Sequence, residues 1–185
     1  MSRNIEIKAR VNDLGEVRQR VAALSSTPSQ IVNQIDTFFV VPRGRLKVRT
    51  FSDGSGELIA YERPSHRGPK ESVYTRVACQ EGRALSEALG NVLLVRGVVK
   101  KQREVFIIGR TRVHLDQVEH LGCFVELEVV LRSGEPVERG DREAQILMQA
   151  LEIPEPALVA EAYIDLLETA NVTSPGATVL PRVSS

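Results

Sequence analysis

Residues Arg112 to Glu128 read R-V-H-L-D-Q-V-E-H-L-G-C-F-V-E-L-E. Divided at Gly122 into two extended segments, the stretch puts Arg112, His114 and Asp116 on one face of the first segment. Glu126 and Glu128 share one face of the second, because strand side chains alternate. Val113, Leu115, Val125 and Leu127 fill the opposite faces. Such a pair needs a hydrophobic core on its apolar side. On its acidic side it needs something positive, whether a metal ion, a basic neighbour or solvent.

The same period of two recurs upstream. Residues 3 to 11, R-N-I-E-I-K-A-R-V, place Ile5, Ile7, Ala9 and Val11 on one face and Asn4, Glu6, Lys8 and Arg10 on the other. Arg45 to Phe51 is the most regular alternation in the chain, and its face of Arg45, Lys47 and Arg49 is wholly cationic. The β-branched and aromatic run Ile31 to Val41 precedes it, with a turn at Pro42-Arg43-Gly44. A hairpin turn at Ser52 to Gly56 leads into a strand over Glu57 to Arg63, which carries Ile59, Tyr61 and Arg63 on one side. A polar loop, Pro64 to Lys70, separates it from a strand over Glu71 to Ala78. Val98 to Ile108 gives a further strand, with Lys101 and Arg103 on one face, before the turn at Gly109-Arg110.

Helical spacing appears in four places. Leu14, Val17, Val21 and Leu24 form a stripe behind Asp13, which with Glu16 resembles a capping box. Glu81 to Leu94 carries Leu85, Ala88, Leu89, Val92 and Leu93. Asp141 is expected to cap a third helix containing Ala144, Leu147, Met148 and Leu151, and a last segment spans Val159 to Leu167. From Glu168 the composition shifts to Thr, Ser, Pro, Gly and Val, so a domain over residues 1–168 and a flexible C-terminal tail over 169–185 are expected. The order β-α-ββββ-α-βββ-αα, with its many hairpins, predicts an antiparallel α+β fold.

Composition narrows the function classes. The chain has 185 residues, 42% of them hydrophobic and 26% charged, which fits one globular domain with a sizeable core. Lys plus Arg and Asp plus Glu are 24 each, so no polybasic character points to a nucleic acid or a membrane surface. No apolar run approaches the roughly 20 residues of a membrane helix, and Arg3 and Glu6 stand where a signal peptide would be apolar, so a cytoplasmic location is expected. Cys79 and Cys123 lack metal-site spacing and read as buried thiols. An unpaired apolar outer surface could support a homodimer.

The charges become informative when the strands are taken together. Lys8, Arg45, Lys47, Arg49, Arg63, Lys101, Arg103 and Arg112 all hold alternating positions, as do Glu6, Asp116, Glu126 and Glu128. If the strands wrap into a barrel with these faces inward, the lumen holds more cations than carboxylates. Such a lumen suits a polyanion, with the carboxylates holding a divalent cation that bridges phosphate oxygens. Arg forks grip phosphate bidentately and Lys acts as a point charge. Salt bridges between strands are the structural alternative for Asp116, Glu126 and Glu128, and a hydrogen-bonding role is the alternative for His114.

These residues resemble the CYTH superfamily, the triphosphate tunnel enzymes, which include class IV adenylate cyclases and thiamine or inorganic triphosphatases. The resemblance rests on I-E-I-K (Ile5 to Lys8), L-K-V-R (Leu46 to Arg49), K-Q-R (Lys101 to Arg103), the run from His114 to Glu128 and A-Y-I-D-L-L (Ala162 to Leu167), all in the family's order. It implies an eight-stranded antiparallel β-barrel, or tunnel, with flanking helices. Glu6, Asp116, Glu126 and Glu128 would hold Mg²⁺ or Mn²⁺. Lys8, Arg45, Lys47, Arg49, Arg63, Lys70 and Arg112 would bind a nucleoside triphosphate or inorganic triphosphate, with Lys101, Arg103 and Glu6 catalytic.

Two departures from the family pattern bear on the reaction. Asn4 stands where the signature has its first Glu, and Glu62 where a Lys is common, so Arg63 or Lys70 would substitute for that Lys. Loss of the first carboxylate weakens activation of a water more than attack by a substrate's own 3′-hydroxyl. On that ground the resemblance leans to a class IV adenylate cyclase-like reaction, ATP to cyclic AMP and pyrophosphate. A triphosphatase comes next, followed by a non-catalytic nucleotide or polyphosphate binder.

Overall fold

The computed structural model of the chain describes residues 2–173. The strands are β1 (Ser2–Val11), β2 (Gln30–Phe39), β3 (Arg45–Phe51), β4 (Gly56–Glu62), β5 (Lys70–Cys79), β6 (Val95–Ile108), β7 (Thr111–Val118) and β8 (Gly122–Val130). They close into a barrel in the order β1-β5-β4-β3-β2-β6-β7-β8, and every neighbouring pair is antiparallel. Closure leaves no sheet edge to be protected. The helices are α1 (Leu14–Leu24), α2 (Gly82–Gly90), α3 (Val137–Ala150) and α4 (Tyr163–Thr173), in the expected chain order.

Alternation along each strand sends aliphatic side chains outward, beneath the helices, and charged side chains into the lumen. Ile5, Ile7 and Ala9 of β1, Val113 and Leu115 of β7, and Val125, Leu127 and Val129 of β8 form one core with Val17 and Val21 of α1 and Ala144, Leu147 and Met148 of α3. A second core joins Phe124 and Val118 to Ala162, Tyr163 and Ile164 at the start of α4. Asp13 caps α1 by accepting from the Gly15 amide at 2.7 Å. The backbones of Gly56 and Gly82 meet so closely that a Cβ on Gly56 would lie 2.6 Å from the Gly82 Cα, which seats α2 against the β3–β4 hairpin. Ile31, Ile35 and Val98 on the outer face of β2 and β6 stay exposed. Cys79 and Cys123 are free thiols and only half-buried.

Three helix boundaries differ from the sequence expectation. The second helix stops at Gly90, and Val92 and Leu94 are exposed, because the chain is already turning to pair with β2 through the Val40 amide and the Leu94 carbonyl at 2.9 Å. The third helix begins at Val137 with Pro136 at its cap position, so Asp141 lies inside the helix rather than capping it. The fourth begins at Tyr163. Leu158 to Ala162 is not helical, because its backbone is engaged by β1: Ala9 bridges Leu158, and the Val159 amide donates to the Lys8 carbonyl at 2.9 Å. Helix α4 continues to Thr173, past the expected boundary at 168, and the rest of the expected tail lies outside the described residues.

Candidate active site in the barrel interior

The lumen forms a cavity of about 270 Å³. Eight cationic side chains line it, Lys8, Lys47, Arg49, Arg63, Arg76, Lys101, Arg103 and Arg112, against five carboxylates, Glu6, Asp36, Glu57, Glu126 and Glu128. The wall is therefore net positive. Ala162 and Tyr163 line the end where β1 finishes, and the segment before them ties down two lysines. Lys8 Nζ donates to the Glu161 carbonyl at 3.1 Å, and Lys70 Nζ to the Ala160 carbonyl at 2.9 Å.

Cross-strand register sets the partners. Glu6 lies opposite Glu128, and Lys8 opposite Glu126, across β1 and β8. Lys8 Nζ is 3.3 Å from Glu126, whose other oxygen is 2.5 Å from Arg103 Nη2. Burial pushes the Glu126 carboxyl up, but Lys8 and Arg103 outweigh it and hold the group well below the usual carboxylate range. Glu128 receives the Arg112 guanidinium at 2.9 Å. Burial raises it too, but His114, Arg112 and Arg103 bring it down to about 2. Both are anions at neutral pH, as a cation site requires. His114, Glu126 and Glu128 each present a ligand atom, all within 4.8 Å of one another.

The other expected metal carboxylates are held differently. Asp116 is fully buried, takes Arg103 Nε at 2.7 Å and Nη2 at 2.6 Å, and accepts from the Tyr163 hydroxyl at 2.9 Å. It orients Arg103 from behind. Glu6 lines the cavity but is paired with Arg63 at 2.9 Å. Of the expected phosphate-binding set, Lys8, Lys47, Arg49, Arg63 and Arg112 face the cavity, whereas Arg45 pairs with Asp165 of α4 at 3.0 Å and Lys70 is spent on backbone carbonyls. Lys101 and Arg103 both line the wall.

Asp36 is a cavity residue that sequence reading missed. It is 1% exposed and accepts from Arg49 at 2.8 and 3.0 Å, from Lys47 at 2.8 Å and from Lys101 at 2.8 Å. One carboxylate thereby holds three cations in place. The signal for it was the inward series Gln34, Asp36, Phe38 on β2, a lone acid among β-branched and aromatic neighbours. Tyr163 was missed as well: its ring lies under Lys8, whose Nζ is 3.8 Å from the centroid.

Four buried polar atoms on the cavity wall have no hydrogen-bond partner among the described residues: Asn4 Oδ1, Gln34 Oε1, Arg63 Nη2 and His114 Nδ1. Buried polar groups are ordinarily satisfied, so this wall is built to face polar contents. Its donors and acceptors together fit an anion and its metal.

A family model for the CYTH domain matches residues 2–163. The chain belongs to the CYTH family. Solved structures share its fold over most of their length. A protein from Pyrococcus horikoshii has a TM-score of 0.79 at 24% identity, covering 88% of this chain and 98% of that one. A candidate adenylate cyclase from Vibrio parahaemolyticus has a TM-score of 0.73 at 18% identity, covering 89% and 97%. A candidate adenylyl cyclase from Hippeastrum, described as having a dominant triphosphatase activity, has a TM-score of 0.62 at 13% identity, covering 92% and 96%. No curated protein matches significantly. No helix among the described residues of this CYTH chain is long and apolar enough to cross a membrane.

Lys47 is expected to make the charge of the barrel lumen depend on pH. Burial pulls its ammonium down to about 7, against the opposing pull of Asp36. Its charge is full below that value and fades above it. The lumen's affinity for a polyanion, probed with inorganic triphosphate, is expected to fall as pH rises through about 7, although the probe itself gains negative charge over that range. Lys47→Arg should flatten the fall. Calorimetric titration on either side of neutrality, with both proteins, checks this.

Proposed function

We propose that the protein is a divalent-metal-dependent enzyme that binds a triphosphate in the barrel and hydrolyses it. The observation that carries this reading is the cation-lined cavity with a carboxylate pair, Glu126 and Glu128, on its wall. Phosphoryl transfer asks of a protein chiefly positioning and charge neutralisation. Lys8, Lys47, Arg49, Arg63, Lys101 and Arg112 would align the phosphates. Arg103, fixed by Asp116, would stabilise charge developing on the transferred group. The metal, Mg²⁺ or Mn²⁺, would be held by Glu126 and Glu128 with Glu6 beside them, and when bound it supplies Lewis-acid neutralisation of phosphate oxygens.

The size of the cavity favours hydrolysis of a small triphosphate. At about 270 Å³ it falls just below the ~300 Å³ at which pockets begin to enclose drug-sized ligands. A triphosphate chain would fit inside, while a nucleoside attached to it would have to extend beyond the cavity.

Cyclisation of ATP is the second reading, and Asn4 is the observation that favours it. The amide lines the cavity in place of a carboxylate that could activate water, and Glu6 is already engaged by Arg63. A ribose 3′-hydroxyl attacking the α-phosphorus arrives already positioned by the substrate.

Separating the products formed from ATP and from inorganic triphosphate, with each metal, tests the proposal. Orthophosphate with a diphosphate is the expected outcome. Cyclic AMP with pyrophosphate would move the assignment to cyclisation. Absence of turnover on either substrate would contradict both.

A further inference from the structure

The side chain of His114 is 5% exposed, and its Nδ1 lacks a hydrogen-bond partner among the described residues. That nitrogen lies 3.8 Å from Glu126 Oε2 and 3.7 Å from Glu128 Oε1, too far for hydrogen bonds. Arg112 holds the other oxygen of Glu128, so Oε1 is the one turned toward His114. Neighbouring ligand atoms on a six-coordinate ion with bonds of about 2.2 Å are about 3.1 Å apart, and opposite ones about 4.4 Å. The two separations from His114, 3.7 and 3.8 Å, fall between these values, and the three ligand atoms lie within 4.8 Å of one another, so one ion can take all three once Glu126 Oε2 turns from Arg103 Nη2, now 2.5 Å away.

We propose that His114 Nδ1 is a third ligand to the divalent ion, alongside Glu126 and Glu128, and that the site therefore selects a transition-metal dication over Mg²⁺. This rests on the proposed metal-dependent reading and specifies its ion. Mg²⁺ demands near-ideal octahedral oxygen coordination and keeps its waters, whereas imidazole is a donor suited to transition ions. A histidine in a purely oxygen site for Mg²⁺ would be a liability. His114 sits on β7 beside Glu126 in register, so its place is fixed by the same ladder that fixes the carboxylates. The competing role is an imidazolium bridging two carboxylates.

Metal binding without substrate separates the two roles. Wild-type protein and His114→Gln are titrated with Mn²⁺ and Mg²⁺, and the Mn²⁺-loaded forms are examined by pulsed electron paramagnetic resonance for coupling to ¹⁴N. Nitrogen coupling is expected in the wild type and not in the variant. Mn²⁺ affinity should drop at least about tenfold in the variant, with a smaller change for Mg²⁺. No nitrogen coupling in the wild type, or an unchanged Mn²⁺ to Mg²⁺ ratio in the variant, overturns the proposal. If the variant does not fold, the wild-type nitrogen signal still decides. Turnover with no nitrogen coupling would defeat this inference alone, and nitrogen coupling with no turnover of any triphosphate would defeat the enzymatic reading alone.

Discussion

Asp36→Asn is expected to lower the melting temperature by roughly 10 °C, corresponding to about 3–5 kcal/mol for removing one partner from a buried charge cluster in a domain of this size. Three cations, Lys47, Arg49 and Lys101, converge on this carboxylate from β3 and β6. Burial alone would push the Asp36 carboxyl up, yet Arg49, Lys101 and Lys47 together hold it well below its ordinary range. The substitution keeps the shape and removes the charge, so the cations repel one another in a wall already positive. Lys47 can relieve part of this by losing its proton, since its pKa is about 7, but Arg49 cannot. Added inorganic triphosphate should recover part of the loss by supplying anionic oxygens in the same lumen. Thermal melts of both proteins, with and without triphosphate, measure this. A variant melting within about a degree of wild type would mean that Asp36 is not the anchor of these cations.

How much of this was legible depended on whether the information was local. Strict alternation in R-N-I-E-I-K-A-R-V and R-L-K-V-R-T-F identified the strands and their charged faces without any knowledge of pairing. Hairpin turns then fixed the order of elements. Register was legible across the tight β6–β7 turn at Gly109-Arg110, but not between strands far apart in sequence, where it depends on which strands meet. The Gly109-Arg110 turn sets Arg103 opposite Asp116, whereas nothing near Glu6 announces that Arg63 will pair with it, and both pairings make oriented ion pairs of residues first read as metal carboxylates. Asp36 escaped notice because its cationic partners come from two different strands: Lys47 and Arg49, 11 and 13 residues away on β3, and Lys101, 65 residues away on β6. The segment before Tyr163 was misread as helix because its apolar pattern suits one, while its backbone hydrogen bonds go to β1.

Glu126→Gln is expected to reduce metal-dependent turnover by about a hundredfold or more. Losing a residue that merely supports a metal ligand costs about 10–100-fold, and Glu126 is proposed to bind the ion itself while it also holds Lys8 and Arg103. Glutamine retains the size and an acceptor oxygen, so the variant should fold, which a melt verifies. The decisive measurement is the initial rate of phosphate or pyrophosphate release from inorganic triphosphate and ATP, with Mn²⁺ or Mg²⁺ present and then chelated. Wild-type protein should turn over at least one of these substrates only while metal is present, and folded Glu126→Gln should have lost that activity. Turnover that survives chelation, or full turnover by Glu126→Gln, would contradict a metal-bearing triphosphate tunnel.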